Sequence, residues 1–272
     1  MTLSGHNLHL GYGATRMVVD GESVTIPSGR TTVIVGPNGC GKSTLLRGLA
    51  GLLRPRPGRV SLDGDELTAL PAVELARRLG VLPQQPAAPD GITVADLVGR
   101  GRHPHQRWFR QWSADDEAAV ATALEATGLA ELAERPVAEL SGGQRQRAWI
   151  ALVLAQGPNT MLLDEPTTFL DLAHQLDVLE LLRTINDEQG RTIVMVLHDL
   201  ELAARYAHHL IAMLDGRIVA EGAPGDVLTE DLVASVFAVD ALVMADPLTG
   251  TPLVLPRPQP RASRGPITRL VD

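Results

Sequence analysis

The sequence predicts an α/β fold, a mainly parallel sheet covered by helices. Three short runs carry that expectation. TTVIV (31–35), Met161-Leu162-Leu163 and TIVMVLHD (192–199) are compact, mainly apolar stretches of strand length, without the alternation of a sheet that has one wet face. The first runs into a Gly-rich loop and then a pattern of helical spacing, and the other two end in polar, chemistry-capable residues. Strand, loop and helix in that order is the unit from which an α/β fold is built.

Taken in chain order, LHLGYG and RMVVDGESVTI (within 1–30) read as short antiparallel strands, with DGE as a turn. TTVIV runs into GPNGCGKST (36–44), and KSTLLRGLAG follows at helical spacing, ending on Gly48 and Gly51. RVSLDGDEL, the helix PAVELARRLG and the strand GVLPQ complete residues 31–85. Residues 86–157 read as largely helical: Ser113-Ala114-Asp115-Asp116 is a capping-box-like start with Gly128 as a stop, and RQRAWIALVLAQ is stopped by Gly157-Pro158. TIVMVLHD (192–199) reads as a strand ending in His198, and IAMLDGRIVAEG as a hairpin about Asp215-Gly216. DVLTEDLVASVF reads as one helix and DPLTGTP as a hairpin turn. PRPQPRASRGP has no apolar period, so 256–272 is expected to be a flexible tail.

Composition narrows the class. The chain has 272 residues, 44% of them apolar, enough for one domain with a large core. A single cysteine excludes an internal disulfide and fits a reducing compartment. MTLSGHNLHL lacks the basic start and apolar run of a secretory signal, and no stretch of 18 apolar residues is present. A net charge of −8 argues against nucleic acid as a partner.

Lys42 is the only lysine; the other 23 of the 24 Lys and Arg residues are arginine. It sits in Gly36-Pro37-Asn38-Gly39-Cys40-Gly41-Lys42-Ser43-Thr44, which matches the phosphate-binding pattern GxxxxGK[ST] in the strand–loop–helix setting that pattern requires. Glycines let the backbone N–H groups face an anion, and the helix N-terminus adds its positive end. Lys42 then reaches the β- and γ-phosphates as a compact charge, where an arginine fork is too wide, and the Ser43 hydroxyl can hold Mg²⁺. The loop therefore indicates a nucleoside triphosphate. Cys40, beside Lys42 and a helix start, is expected to have a lowered pKa.

A second anion site is legible at LSGGQRQR (140–147): Ser141 is a good N-cap, with Gly142 and Gly143 behind it. Taken alone, an N-cap and turn explain it as well. Asp164-Glu165 close the strand TMLL at the edge where α/β sheets place ligands. Asp164 can hold Mg²⁺ directly or through water, and Glu165 can orient or deprotonate an attacking water. His198, at the end of another strand of the same sheet, can touch a γ-phosphate.

P-loop GPNGCGKST, LSGGQ, MLLDEP, FLD and LHD stand in this order, and with them the chain resembles the ATP-binding subunit of ABC transporters over roughly residues 3–255. The resemblance implies a P-loop NTPase (RecA-like) ABC ATPase core with an N-terminal antiparallel β subdomain and an inserted helical subdomain at about 86–157. It implies ATP and Mg²⁺ as cofactors. It makes Tyr12 the aromatic that stacks on adenine, Gln84 (with Gln85 adjacent in register) the glutamine that reaches Mg²⁺ and water, and Asp164 and Glu165 the Mg²⁺ acid and general base. Asp171 becomes the D-loop aspartate and His198 the switch histidine. Ser141, Gly142, Gly143 and Gln144 would touch the ATP held by a second copy in a head-to-tail ATP-sandwich dimer, which explains two anion sites in one chain.

GITVADLVGRGRHPHQ with the motifs that follow is similar to ATPase subunits of ferric-siderophore importers, with haem and cobalamin importers as close relatives. That implies a peripheral subunit on the cytoplasmic membrane face, docked on transmembrane permease subunits and served by an extracytoplasmic siderophore-binding protein. GRGRHPHQRWFRQW (99–112) sets Trp108, Phe109 and Trp112 beside Arg100, Arg102, Arg107 and Arg110, an interface composition; a loop buried in the helical subdomain is the competing reading. Three other classes stay open: a haem or cobalamin importer, an iron–sulfur assembly factor with soluble partners, and an inactive scaffold, the last opposed by intact Glu165 and His198.

Overall fold

The computed structural model describes residues 2–13, 16–106 and 112–258. The chain opens with β1 (Leu3–Tyr12) and β2 (Arg16–Ile26), then β3 (Thr31–Val35) and α1 (Lys42–Leu49). β4 (Arg59–Leu62), β5 (Asp65–Glu66), α2 (Ala72–Arg78) and β6 (Leu79–Leu82) follow. Next come α3 (Val94–Gly99), a 3₁₀ turn (Arg100–His105), α4 (Ala114–Ala126) and α5 (Gly142–Gln156). β7 (Thr160–Leu163), α6 (Leu172–Gln189), β8 (Thr192–Val196), α7 (Leu200–Tyr206), β9 (His209–Leu214) and β10 (Arg217–Gly222) return to the sheet, and α8 (Pro224–Val227), α9 (Glu230–Phe237), β11 (Ala241–Ala245) and β12 (Pro252–Pro256) close the described chain.

The main sheet has the order β10-β9-β3-β8-β7-β6, parallel except for β10 on β9. Its inner strands β3, β7 and β8 are buried along their whole length and mainly apolar because both faces are covered, whereas the edge strand β10 alternates exposed and half-buried residues. Successive side chains alternate: Val33 and Val35 enter one core with Met195, Leu163 and the helices α5 and α6, while Ile34 enters the other with Val194 and Val196. In that second core Leu45, Leu46 and Leu49 of α1 lie between the main sheet and the antiparallel sheet β2-β1-β4-β5. Each is buried, at about 1.5–3 kcal/mol of transfer free energy per side chain. This sandwich fixes the P-loop helix from both sides. Among the described residues no helix is long and apolar enough to cross a membrane.

Several local expectations change. DGE is not a turn: β2 runs through it, and Gly21 (φ +76°) takes up a bulge where the register steps from Leu8↔Glu22 to His9↔Asp20. Gly48 lies inside α1, against Leu10, rather than ending it. DVLTEDLVASVF splits in two, because Thr229 accepts from the Leu232 N–H and caps a new helix. β8 stops at Val196, leaving His198 in the following loop. Of the expected tail, Pro256 belongs to β12 and Arg257 pairs with Asp240 and Glu230, while 259–272 lie outside the described residues, as do Arg107, Trp108, Phe109 and Arg110.

In the helical segment Ser113 and Asp116 form a reciprocal capping box. Arg102 points inward, correcting its place on an arginine-rich surface: its Nε donates to Asp116 Oδ1 (2.8 Å) and its Nη1 to the Ala155 carbonyl (2.7 Å). His105 reaches the Gln156 carbonyl (2.8 Å), and Gln156 donates to Ala76 and Leu79 carbonyls. The C-terminal end of α5 is thus held by three side chains.

Candidate nucleotide site

The strand order decides which residues meet. β3, β7 and β8 are parallel neighbours, so the residues just past their C-terminal ends (Gly36, Asp164 and His198) share one edge. There an open cleft of about 290 Å³ is lined by Tyr12, Arg16, Val18, Asn38, Gly39, Gly41, Lys42, Ser43, Thr44, Glu165 and His198.

The loop 36–44 wraps onto the N-terminus of α1 through Gly41, whose φ of +109° closes the turn without a Cβ in the way. Lys42 is buried and folded onto its own loop, with Nζ donating to the carbonyls of Gly36 (2.8 Å) and Pro37 (3.0 Å). An ammonium has three donors, so these two bonds leave one for a ligand. Ser43 Oγ donates to Asp164 Oδ1 at 2.7 Å. The other Asp164 oxygen, Oδ2, is buried with no hydrogen-bond partner, and Arg47 Nη2 stands 3.9 Å away. Burial pushes the Asp164 carboxyl above its usual range, and Ser43 and Arg47 offset this only in part. A buried carboxylate oxygen with no donor, beside a serine hydroxyl, is an oxygen-donor set that suits a hard divalent cation.

Glu165 is the hub. Its Oε2 accepts from Gln84 Nε2 (2.6 Å) and Thr168 Oγ1 (2.9 Å), and its Oε1 lies 2.7 Å from His198 Nε2. Burial pushes its carboxyl up, but the hydrogen bonds from His198, Thr168 and Gln84 outweigh this and hold it below the usual carboxylate range. Its backbone stands at φ +53°, a left-handed conformation costing on the order of 1 kcal/mol in a non-glycine residue. Gln84, and not Gln85, is the glutamine bonded here.

The residues of LSGGQ lie elsewhere. Ser141 Oγ accepts from the Gln144 N–H (3.2 Å) while the Gln144 side chain accepts from the Ser141 N–H (3.1 Å), a capping box at the start of α5. Ser141 and Gly142 are exposed, and neither they nor Gly143, Gln144 or Asp171 line the cleft. Gly143 instead packs on the His174 ring, which fills the place a Cβ would take. His174 Nδ1 lies 2.6 Å from Asp171 Oδ1, and Asp171 caps α6. The start of α5 is therefore a surface separate from the cleft at the start of α1.

Cys40 corrects the expectation of a reactive thiol. It is buried in the core beneath α1, and burial pushes its pKa up more than neighbouring Lys42 brings it down. Three contacts went unread in the sequence. Thr168, Arg47 and His174 have partners that no local motif indicates; Tyr12, whose hydroxyl lies 3.5 Å from Thr44 Oγ1 and accepts from Arg47 Nη1 (3.2 Å), is the point where Arg47 becomes visible.

Residues 19–168 match the family model described as ABC transporter. The chain is 56% identical, over 93% of its length and 92% of the relative's, to the probable siderophore transport system ATP-binding protein YusV of Bacillus subtilis (strain 168). It is 52% identical to the ferric enterobactin transport ATP-binding protein FepC of Escherichia coli (strain K12), over 93% of each chain. Among solved structures it is similar, at TM-score 0.81 and 29% identity over 94% of this chain and 97% of the other, to one assigned as a metal-chelate type ABC transporter in an inward-facing conformation.

Proposed function

This chain belongs to the ABC transporter family as an ATP-binding ATPase subunit, and from that premise we propose that it powers import of a ferric siderophore through a membrane permease. The observation that carries the chemistry is the hub at Glu165, where Gln84, Thr168 and His198 converge on one ionised carboxylate beside the phosphate loop. The siderophore assignment is supported by the high identity to siderophore-import subunits along nearly the whole chain.

In this reading Tyr12 stacks on adenine, and residues Gly36 to Thr44 receive the triphosphate through backbone N–H groups and the free donor of Lys42. Ser43, Asp164 and Gln84 would hold Mg²⁺, which would supply charge neutralisation at the phosphates. In the arrangement described here Gln84 and His198 direct their donors to Glu165. Binding of ATP draws His198 toward the γ-phosphate and leaves Glu165 facing water, which it orients or deprotonates. Ser141, Gly142, Gly143, Gln144 and Asp171, which lie outside the cleft, act on the ATP of a second copy in a head-to-tail dimer.

The permease docks at the 99–112 segment. Of its described part, Arg100, His103, Gln106 and the half-exposed Trp112 line an open cavity of about 450 Å³. The subunit is then peripheral, at the cytoplasmic face, and an extracytoplasmic siderophore-binding protein delivers the cargo.

Glu165→Gln tests the chemistry. It keeps the shape and removes the charge, so ATP binding and dimerisation persist while turnover drops by about 10²–10⁴-fold. Normal turnover in that variant removes Glu165 from its role. Uptake of iron-55 chelated by a siderophore, in cells carrying this chain or Glu165→Gln as the sole ATPase subunit, tests the cargo.

A further inference from the structure

Arg47, which no sequence motif includes, joins two parts of the nucleotide cleft. Thr44 and Arg47 are three apart on α1 and share a face. Both approach the Tyr12 hydroxyl, Thr44 Oγ1 at 3.5 Å and Arg47 Nη1 at 3.2 Å. The other arm of the same guanidinium, Nη2, faces the unbonded Oδ2 of buried Asp164 at 3.9 Å. Tyr12 itself is 45% exposed at the end of β1, so packing alone does not fix its ring.

We propose that Arg47 is a positioning residue for the base of the nucleotide: Asp164 aims the planar fork through one nitrogen, and the other nitrogen holds the Tyr12 ring ready to stack. This rests on the reading that Tyr12 stacks on adenine. Arginine suits the task because its donors are rigidly spaced, where a lysine offers one point charge. An aromatic held in place before its ligand arrives loses less freedom on binding, so Arg47 raises affinity for the base while making no contact with the phosphates.

The test compares equilibrium binding of MgATP with binding of magnesium tripolyphosphate, which has no base, to the full chain. The variants are Arg47→Met, which keeps the stem and removes the donors, Tyr12→Phe, their combination, and Tyr12→Ala. Arg47→Met and Tyr12→Phe should each raise the Kd for ATP about fivefold to tenfold, as expected for loss of one charge-assisted hydrogen bond. The combination should be no worse than either alone, and the Kd for tripolyphosphate should stay within about twofold. KM should follow the ATP Kd, with kcat changed less. Equal weakening of ATP and tripolyphosphate by Arg47→Met would place its action on the phosphates and overturn the proposal, as would additive losses in the combination. Unchanged ATP affinity in Arg47→Met with weakened binding in Tyr12→Ala overturns the proposal alone. Unchanged affinity in Tyr12→Ala overturns the stacking reading beneath it.

Discussion

Arg102→Ala should be among the most destabilising single changes away from the nucleotide cleft. Both partners of its ion pair are buried, with side-chain exposures of 11% for Arg102 and 6% for Asp116. Arg102 also joins two helix ends of opposite polarity: its guanidinium meets the C-terminal carbonyl of Ala155 in α5, and Asp116 stands in the first turn of α4. Removing it strips one buried carbonyl of its donor and leaves a buried carboxylate with Ser113 alone. Breaking a buried pair from one side costs about 3–5 kcal/mol, and the surviving Ser113 bonds place this case near 3 kcal/mol. For a chain of this size that corresponds to a Tm lowered by about 6–10 °C, read by calorimetry or far-ultraviolet circular dichroism. The pH dependence adds a second check. Arg102 holds the Asp116 carboxyl below its ordinary value of 3.8. A depressed carboxylate contributes stability that is present above its unfolded pKa and lost as pH falls through the folded one. The gap between parent and Arg102→Ala should therefore be full at pH 7 and narrow as pH falls below 3.8. A Tm change under about 2 °C at pH 7, or a gap that stays constant to pH 3, would refute the reasoning.

Two further outcomes follow from contacts around the cleft. Cys40 should react with a maleimide at pH 7.5 at least about tenfold more slowly than a free small thiol, faster as pH rises, and readily once unfolded; rapid stoichiometric labelling of the native chain would show the thiol is not shielded. Gly143→Ala must push the His174 ring away from Asp171, so ATPase activity should fall at least about tenfold with little loss of Tm. Adding His174→Ala clears the space and should restore part of the activity, and a double variant no better than Gly143→Ala would show that the ring is not the obstacle.

How much was legible depended on how local the cause was. The three core strands, the strand–loop–helix unit that opens with TTVIV, the Ser113 and Ser141 caps and the β9–β10 turn are local matters of period, capping and turn chemistry, and each could be read from adjacent residues. The Gly21 bulge could not, because it answers to the register of the partner strand β1, and DGE is as good a turn in isolation. Cys40 misled because Lys42 and the helix start are visible in the sequence, whereas the burial that outweighs them comes from the packed sheets. The Glu165 hub joins residues 81 positions apart from Gln84 and 3 from Thr168. Its histidine could be read from the end of a strand and its glutamine came through the family resemblance, while Thr168 and Arg47 came only from the geometry.

The clamp on α5 has a mechanical meaning. Fifteen helical residues make a rod roughly 22 Å long, with Ser141 at the exposed tip and Arg102, His105 and Gln156 gripping the base. A tilt of about 10° at the grip swings the tip by roughly 4 Å, more than the length of a hydrogen bond. Two of the gripping residues belong to the same 3₁₀ turn as Arg100 and His103, which line the open cavity proposed as the docking surface. A partner docked there as proposed would have its pressure on that turn enlarged along the rod, as the needle of a gauge enlarges a small rotation at its pivot.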